Sequence, residues 1–248
     1  MSRGDLRHIL PGEPIPRGSL FHERRYRVAL RNIGRFEPEG TLLDIGCGNG
    51  SQTEFFARHA KFCAGIDLQY SRLSGFKSEL RKAGVLNISL MGASAQKLPF
   101  RDQSFQYITC FEMLEHVPDQ VGVLAEIQRV LKAGGTLILS VPHRWWIFET
   151  HGAALPLLPW NRVPLFSWLP KKWHDRWARA RNYTQHELVG ILRRAGFSQV
   201  QTSLLTAPMD VVQIKQIQRF LRTTVFRDDT TRIPVLASTI FANARKST

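Results

Sequence analysis

The chain has 248 residues, of which 43% are hydrophobic, so it is long enough to bury one large α/β core. No apolar stretch reaches the roughly 20 residues of a membrane span, and the first residues lack the uninterrupted apolar core of a signal peptide. The three cysteines, Cys47, Cys63 and Cys110, form no C-x-x-C pair. This pattern indicates neither a disulfide framework nor a structural zinc site, and it predicts a cytoplasmic location.

The formal net charge of +14 is unevenly distributed. Lys and Arg outnumber Asp and Glu by five in residues 1–36, by four in 155–192 and by six in 193–248, whereas residues 37–154 carry one excess acid. An anionic partner would therefore meet the segments outside residues 37–154. Membrane headgroups and nucleic acid both qualify on charge, and a basic surface that is merely solvated is the alternative.

The first elements of the chain are a Pro/Gly-rich arm over residues 1–18 and a basic helix from about Leu20 to Phe36. We expect residues 1–36 to form this arm and helix, with the helix folding over a ligand site. Residues 37–248 are expected to form one domain.

A short apolar strand, Thr41–Ile45, carries Asp44 and runs into a loop with alternating glycines over Gly46–Gly50. Glycine reaches positive φ at no steric cost and has no Cβ to block a ligand lying on the backbone. Ser51 and Glu54 fit the Ser-x-x-Glu capping box, which predicts that a helix begins directly after Gly50. The N–H groups at that helix start would favour an anionic ligand group.

The next apolar run, Phe62–Ile66, predicts a second parallel strand that ends at Asp67. Asp67 follows the first glycine by roughly 20 residues, the separation expected for an acid that accepts hydrogen bonds from ribose hydroxyls. The glycine spacing is G-x-G-x-G, and Ser51 stands where the dinucleotide pattern requires its third glycine. A nucleoside cofactor is therefore predicted, and NAD is the weaker candidate.

Four motifs in this order resemble a known family. "LLDIGCGNG" and "AGIDLQ" resemble the first two motifs of class I S-adenosylmethionine-dependent methyltransferases. "SAQKLPFRDQSFQYITCFEMLEHVPD" and "RVLKAGGTLILSVP" resemble the stretches that follow them in the type-11 subgroup, near the ubiquinone-pathway O-methyltransferases. The resemblance covers about residues 37–142. It implies a Rossmann-like fold with a seven-stranded, mostly parallel sheet and helices on both faces, and S-adenosyl-L-methionine as cofactor.

The resemblance also implies roles for individual residues. The methionine end of the cofactor would be held by Asp44, Gly46, Cys47, Gly48, Asn49 and Gly50. The ribose would be held by Asp67 and Leu68, and the adenine would be held by Ser94 and Ala95. The carbonyl of Phe111 would meet the amino group of the cofactor. The family usually has Asp at the position of Ser94, and a hydroxyl accepts hydrogen bonds more weakly than a carboxylate. Ala133 stands where relatives commonly have Pro.

An E-x-x-E-H cluster of Glu112, Glu115 and His116 follows the strand predicted over Phe105–Cys110. Open α/β sheets bind ligands at this end of their strands. We take His116 and Glu115 as the candidate catalytic residues, since they could remove a proton from an acceptor hydroxyl. A divalent metal is an open alternative, implied by the ubiquinone-pathway relatives, and helix capping is another.

All six tryptophans fall between Trp145 and Trp177, in an insertion over residues 144–183 that follows a strand predicted at Thr136–Val141. In the family this region commonly forms a lid over the acceptor. A helix predicted over Lys171–Arg181 places Trp173 and Trp177 on one face among basic residues, a pattern typical of a lipid headgroup interface. The alternatives are tryptophans packed on the core and stacking on nucleic-acid bases.

The last predicted elements are two strands, Phe197–Leu205 and Ile233–Ala242, as an antiparallel pair at the sheet edge. Between these strands, the residue pattern of Asp210–Arg222 predicts a basic amphipathic helix. A capping box at Thr184 and Glu187 predicts the start of the helix that precedes this pair.

The combined hypothesis is a methyltransferase that methylates oxygen or carbon of a small lipophilic acceptor, as a cytoplasmic protein in peripheral contact with an anionic membrane through residues 144–181. One alternative is an RNA or DNA methyltransferase, although residues 109–114 read "TCFEML" where amino-methylating enzymes carry an Asn/Asp-Pro-Pro-aromatic motif. The other is a non-catalytic module that binds S-adenosylmethionine.

Overall fold

The structure is a computed structural model that describes residues 20–69, 71, 73, 80, 84–149, 151–154, 159–160, 164–207, 209, 212 and 214–247. The predicted arm over residues 1–18 lies outside this range. Six helices are described: α1 Leu20–Ile33, α2 Ser51–Ala57, α3 Gln120–Val130, α4 Lys171–Trp177, α5 Gln185–Arg194 and α6 Lys215–Thr223. The strands are β1 Thr41–Ile45, β2 Phe62–Asp67, β3 Ile88–Gly92, β4 Phe105–Phe111, β5 Leu131–Pro142, β6 Ala153–Ala154, β7 Pro159–Trp160, β8 Phe197–Thr206, β9 Thr230–Thr231 and β10 Ala237–Lys246.

One large sheet has the strand order β3-β2-β1-β4-β5-β10-β8-β9. The five strands from β3 to β5 are parallel, and β10 runs antiparallel to both β5 and β8. The predicted α/β fold is confirmed, but the strand count of seven is wrong, because the two-residue β9 pairs with β8 at the edge. The antiparallel pair of β8 and β10 is confirmed. Its second strand begins at Ala237 rather than Ile233, since Pro234 opens a 3-10 turn.

Both faces of the sheet are covered, which explains why the central strands are apolar without interruption. Adjacent residues of β1 show this directly: Leu43 packs into a cluster with Ile108 on one face, and Leu42 packs with Phe56 and Phe241 on the other. Successive side chains of a strand point to opposite faces, so a strand between two helix layers needs apolar residues at every position.

Helix α1 packs on the second face and is clamped to the far edge of the sheet by arginines. The Arg24 guanidinium donates hydrogen bonds to Thr206 Oγ1 at 2.6 Å and to the Phe226 carbonyl. Arg27 makes a two-point contact with Asp229 at 3.0 and 2.6 Å, and Arg31 donates to the same carboxylate at 3.0 Å. The predicted basic helix is thus confirmed, although it ends at Ile33 rather than Phe36.

The tryptophan-rich insertion divides its aromatic rings between interior and surface. Trp146 is buried against Phe226. In contrast, Trp145, Trp168 and Trp173 are 44%, 41% and 66% exposed. The rings therefore neither all pack on the core nor all face solvent. The helix predicted over Lys171–Arg181 ends at Trp177, where Ala178 turns into extended backbone.

A buried ion pair holds this insertion together. His174 Nε2 lies 2.8 Å from Glu149 Oε2, and Ser167 Oγ donates to the same carboxylate oxygen at 3.1 Å. Burial alone would lower the pKa of His174, but its hydrogen bonds to Asp175 and Glu149 outweigh this and raise the pKa. The pair fixes α4 on the preceding loop. Among the described residues, no helix combines the length and the apolar character that crossing a bilayer requires.

Candidate active site

The glycine loop between β1 and α2 adopts the conformation for which its glycines were predicted. Gly46, Gly48 and Gly50 have φ of +73°, +57° and +78°. The N–H groups of Gly46 and Cys47 both donate to the Ile66 carbonyl at 2.9 Å, which ties the loop to the end of β2. A Cβ on Gly46 would lie 2.7 Å from the Met113 side chain. The first glycine is thus required by its φ and by the close approach of Met113.

Helix α2 begins at Ser51 as predicted, but the predicted capping box is wrong. The N-cap is Gly50, which has no side chain and so makes no side-chain cap hydrogen bond. The Ser51 N–H donates instead to Asn49 Oδ1 at 3.1 Å. Because Gly50 holds the N-cap position, Ser51 is the first residue inside the helix and not the N-cap that a capping box requires.

Asp44 is fully buried below the loop. It accepts hydrogen bonds from Thr53 Oγ1 at 2.6 Å and from Thr109 Oγ1 at 2.8 Å. Burial raises the pKa of Asp44, and the two hydroxyl donors only partly counter this. The carboxyl group therefore joins β1, α2 and β4 beneath the predicted cofactor position.

Asp67 lies at the end of β2 and faces the glycine loop. Its Oδ2 accepts from the Gly48 N–H at 2.9 Å, and its Oδ1 accepts from the Gln69 N–H at 2.9 Å. Both oxygens retain lone pairs for further donors. The intervening Leu68 is 72% exposed beside it.

The remaining predicted cofactor residues follow β3 and end β4. The Ala93 N–H donates to the Asp67 carbonyl at 3.0 Å, so the loop that carries Ser94 and Ala95 begins beside the end of β2. Phe111 is buried at the end of β4 and stacks on Phe56. The predicted groups therefore converge on the carboxyl ends of neighbouring strands.

Arg25 of α1 reaches this region and was missed by the sequence reasoning. Its side chain is only 3% exposed, and its Nη1 donates to Gln52 Oε1 at 2.9 Å. Its guanidinium also lies 4.4 Å from the Phe21 ring centroid and 5.1 Å from that of Phe111. Among the described residues, Arg25 Nε, Arg25 Nη2 and Gln52 Nε2 have no hydrogen-bond partner. Burial lowers the pKa of Arg25, and the charge of Glu112 counters this.

Nothing in the sequence distinguishes Arg25 from the other basic residues of 1–36. Its burial follows from its position on the face of α1 that also carries Val28 and Ala29. That face becomes identifiable only once the helix is docked.

Glu112, the first residue of the predicted cluster with Glu115 and His116, turns its carboxylate toward α1. Glu112 has a φ of +48°, a conformation rare for a residue with a side chain. Its carboxylate accepts from Ser140 Oγ at 2.9 Å and lies 3.6 Å from Arg25 Nη2. Glu112 therefore also contacts α1, while its charge still acts on Glu115.

Glu115 and His116 lie beside His151, a residue of the insertion that the sequence reasoning missed. Glu115 Oε1 lies 3.8 Å from His116 Nε2 and 3.6 Å from His151 Nε2. One ligand atom from each residue lies within 4.8 Å of the others. Glu115 is completely buried, and neither of its carboxyl oxygens has a hydrogen-bond partner among the described residues. Burial and the nearby Glu112 raise the pKa of Glu115 well above its ordinary value.

The parallel sheet with a positive-φ glycine loop after β1 and an acid at the end of β2 defines the chain as a class I methyltransferase by fold. Among solved structures, phosphoethanolamine N-methyltransferase 2 of Haemonchus contortus, crystallised with S-adenosyl-L-methionine, has a TM-score of 0.64. The two sequences are 16% identical, and the match covers 100% of this chain and 58% of that chain. The cyclase SpnF has a TM-score of 0.63 at 19% identity, covering 92% and 81%. At these identities the likeness concerns the fold alone.

The family described as "Methyltransferase domain", type 11, matches residues 43–139. The ubiquinone biosynthesis O-methyltransferase of Dechloromonas aromatica is 32% identical over 156 residues, covering 60% of this chain and 67% of that protein. That of Methylococcus capsulatus is 34% identical over 143 residues, covering 55% and 60%. The chain belongs to the type-11 family of S-adenosylmethionine-dependent methyltransferases. It spans 60% and 56% of the lengths of the Methylococcus and Saccharophagus relatives.

Proposed function

We propose that the protein transfers a methyl group from S-adenosyl-L-methionine to a small lipophilic acceptor, at oxygen or carbon. The observation that carries this is the grouping of the glycine loop, the Asp67 carboxylate hydrogen-bonded to it, and the buried Arg25 guanidinium, which donates to Gln52 of the helix that follows the loop. The sequence similarity to ubiquinone biosynthesis O-methyltransferases supports an oxygen acceptor.

In this proposal Asp67 accepts hydrogen bonds from the ribose hydroxyls, with adenine beside Ser94 and Ala95. The methionine end lies on the glycine loop above Asp44. Arg25 Nε and Nη2, together with Gln52 Nε2, are buried donors in need of an acceptor. An unsatisfied buried donor is costly, and a carboxylate is the acceptor that best suits a guanidinium. We therefore assign the carboxylate of the cofactor to Arg25.

The reaction needs an in-line approach of the acceptor to the methyl carbon. The acceptor forms a bond to that carbon as the carbon–sulfur bond breaks, and the bonding pair stays on sulfur as a neutral thioether. Holding the two reactants together can contribute about 7–11 kcal/mol, so positioning accounts for most of the catalysis.

A hydroxyl acceptor must also lose its proton. Burial and the nearby charge of Glu112 raise the pKa of Glu115, which favours its protonated form and makes it a weaker candidate for the base. His116, which lies against it, is then the proton acceptor, and Glu115 acts by positioning it. A carboxylate and two imidazoles also suit a divalent ion, so Glu115, His116 and His151 would be its ligands. Such an ion would lower the pKa of a bound hydroxyl.

We further propose that the acceptor is met at a membrane surface through residues 144–181, with the protein on the cytoplasmic face. The exposed Trp145, Trp168 and Trp173 support this, because tryptophan favours the boundary between water and lipid. The basic residues Lys171, Lys172 and Arg176 lie with Trp173 on α4 and would attract anionic headgroups.

The test is incubation of the protein with methyl-labelled S-adenosylmethionine and separate lipid, RNA and protein fractions. Label in the lipid fraction, lost in Asp67→Ala, is the expected result. Label in RNA alone would support nucleic-acid methylation instead. Binding of the cofactor without label in any fraction would make the chain a non-catalytic binding module.

A further inference from the structure

Glu112 follows β4 with an unusual backbone, close to the glycine loop. Its φ is +48°, in the left-handed region that residues with a Cβ adopt rarely. Such strain persists where the surrounding structure enforces it, and it is concentrated at active sites and ligand clamps. The next residue, Met113, lies against Gly46, because a Cβ on that glycine would be 2.7 Å from the Met113 side chain. The end of β4 therefore lies beside the loop that carries the methionine end of the cofactor in the proposed function.

The peptide bond between Phe111 and Glu112 directs the Phe111 carbonyl toward the same loop. The Glu112 N–H donates to the Ser140 carbonyl of β5 at 3.0 Å. No peptide bond among the described residues is cis, and in a trans peptide the C=O points away from the N–H. Because β4 lies between β5 and β1, this carbonyl faces the side of β1, whose end continues into the glycine loop.

The Glu112 carboxylate has capacity for a further donor. Its Oε1 accepts from Ser140 Oγ at 2.9 Å, whereas the 3.6 Å that separate it from Arg25 Nη2 exceed the length of a hydrogen bond. A carboxylate offers about four lone-pair positions, so the Ser140 hydroxyl leaves most of them available. The side chain is 16% exposed and is therefore not sealed in the core.

Two other acids near the loop are less suited to bind a cation from a ligand. Asp44 is 2% exposed, and its two oxygens already accept from Thr53 and Thr109. Glu115 is completely buried beside two imidazoles, and the group of possible metal ligands found among the described residues includes it but does not include Glu112. Glu112 is thus the acid at the end of β4 that is open to the crevice.

We propose that Glu112 binds the α-ammonium group of S-adenosyl-L-methionine, so that Arg25 and Glu112 together recognise the zwitterion. The inference rests on the proposed function, which assigns the cofactor carboxylate to Arg25. One carbon of the cofactor carries both charged groups, so a carboxylate held by Arg25 brings the ammonium to the neighbours of Arg25. The ammonium has three donors, for which the Phe111 carbonyl is a neutral acceptor and the Glu112 carboxylate a charged one.

The experiment is isothermal titration calorimetry of the full chain with four ligands. They are S-adenosylhomocysteine, its deaminated analogue, its decarboxylated analogue and 5′-methylthioadenosine, which lacks both charged groups. Glu112→Gln should weaken binding of the two ligands that carry the ammonium about tenfold or more, because a hydrogen bond between two charges is lost. The variant should bind the deaminated analogue at least as tightly as the wild type does, and 5′-methylthioadenosine equally.

Arg25→Gln should give the complementary selectivity. Binding of S-adenosylhomocysteine and of the deaminated analogue should weaken about tenfold or more, and binding of the decarboxylated analogue should not weaken. The matched control is Glu23→Gln, which removes an exposed acid of α1 that lies 3.8 Å from Arg27. This control should leave all four affinities unchanged. Should Glu112→Gln fail to fold, Glu112→Asp withdraws the charge by one methylene and should show the same selectivity with a smaller loss.

Two results would overturn the inference while the proposed function stands. One is an unchanged affinity of Glu112→Gln for S-adenosylhomocysteine, which would leave the ammonium to the Phe111 carbonyl. The other is an equal loss for all four ligands, 5′-methylthioadenosine included, which would show that Glu112 acts through the fold. Wild-type protein that binds none of the four ligands would instead overturn the proposed function, and the inference with it.

Discussion

Arg25 Nη2 lies 3.6 Å from Glu112 Oε1, so the N-terminal helix and the end of β4 meet through a buried pair of opposite charges. The geometry of this pair leaves guanidinium donors unsatisfied within the described residues. A bound carboxylate would complete their hydrogen bonds.

Arg25→Gln is expected to weaken binding of S-adenosylhomocysteine by about 1.5–3 kcal/mol, the contribution of a hydrogen bond to a charged group. Isothermal titration calorimetry measures this loss. Arg35→Gln removes a charge from an exposed residue just after α1 and serves as the control. Unchanged affinity in the Arg25 variant would show that the carboxylate of the cofactor lies elsewhere.

Asp67→Ala should also cost about 1.5–3 kcal/mol in cofactor affinity for each charged hydrogen bond lost to ribose. Asp67→Asn keeps the shape and one acceptor, so its loss should be smaller. Because Asp67 also accepts from the Gly48 N–H, thermal unfolding of each variant should be compared. Equal affinity for adenosine and 2′-deoxyadenosine forms of the product would contradict the assignment of the ribose.

Glu115→Gln tests whether the buried carboxyl is neutral. A group whose pKa is raised in the folded state binds its proton more tightly there, so stability falls as pH rises above the ordinary value of 4.5. The Glu115→Gln variant has no carboxyl group at this position, so its stability does not fall with pH for this reason. It should unfold at a higher temperature than the wild type at pH 8 and at the same temperature at pH 4, in buffer with a chelator.

Glu126→Gln provides a control of opposite sign for that measurement. The hydrogen bond from Arg129 lowers the pKa of Glu126. The ionised Glu126 therefore stabilises the folded protein above its ordinary pKa, and this stability is lost as pH falls. That variant should be less stable than the wild type at pH 8. A Glu115 variant with the same sign would mean that Glu115 is ionised.

His174 gives a second pH dependence, local to the insertion. Because the pKa of His174 is raised in the folded protein, the stability that its charged form contributes is fully present below the ordinary pKa of 6.5. This stability is lost as pH rises through the raised pKa. Hydrogen exchange in α4, corrected for the intrinsic pH dependence of amide exchange, should accelerate as pH rises above 6.5 and through the raised pKa of His174. His174→Ala should cost about 3–5 kcal/mol, because it leaves Glu149 buried without its partner. Exchange in α4 that does not respond to the substitution would contradict this role.

Local signals in the sequence were sufficient for much of the fold. The glycine loop, the end of β2 at Asp67 and the capping box at Thr184 each depend on residues within one short segment, and the structure confirms each. The Ser51 and Glu54 box has the same local pattern but fails, because Gly50 already holds the N-cap position. The pattern alone does not report which residue takes the N-cap position.

The residues that sequence reasoning missed are those brought in from a distance. Arg25 reaches the site only because α1 docks across the sheet, and His151 only because the insertion returns to the end of β4. Glu112 meets Arg25 from a backbone with positive φ, a conformation that its residue type does not indicate. The end of α4 at Trp177 likewise follows from the bridge between Ala153 and Ala178.

Asp229 accepts hydrogen bonds from two arginines of α1, although it stands in no motif and follows the whole region of family similarity. One carboxylate near the end of the chain therefore keeps the first described helix seated, and Arg25 with it. A mutant at this position found by genetic selection would present as a protein deficient in cofactor uptake. Its lesion would map far from every signature that defines the family.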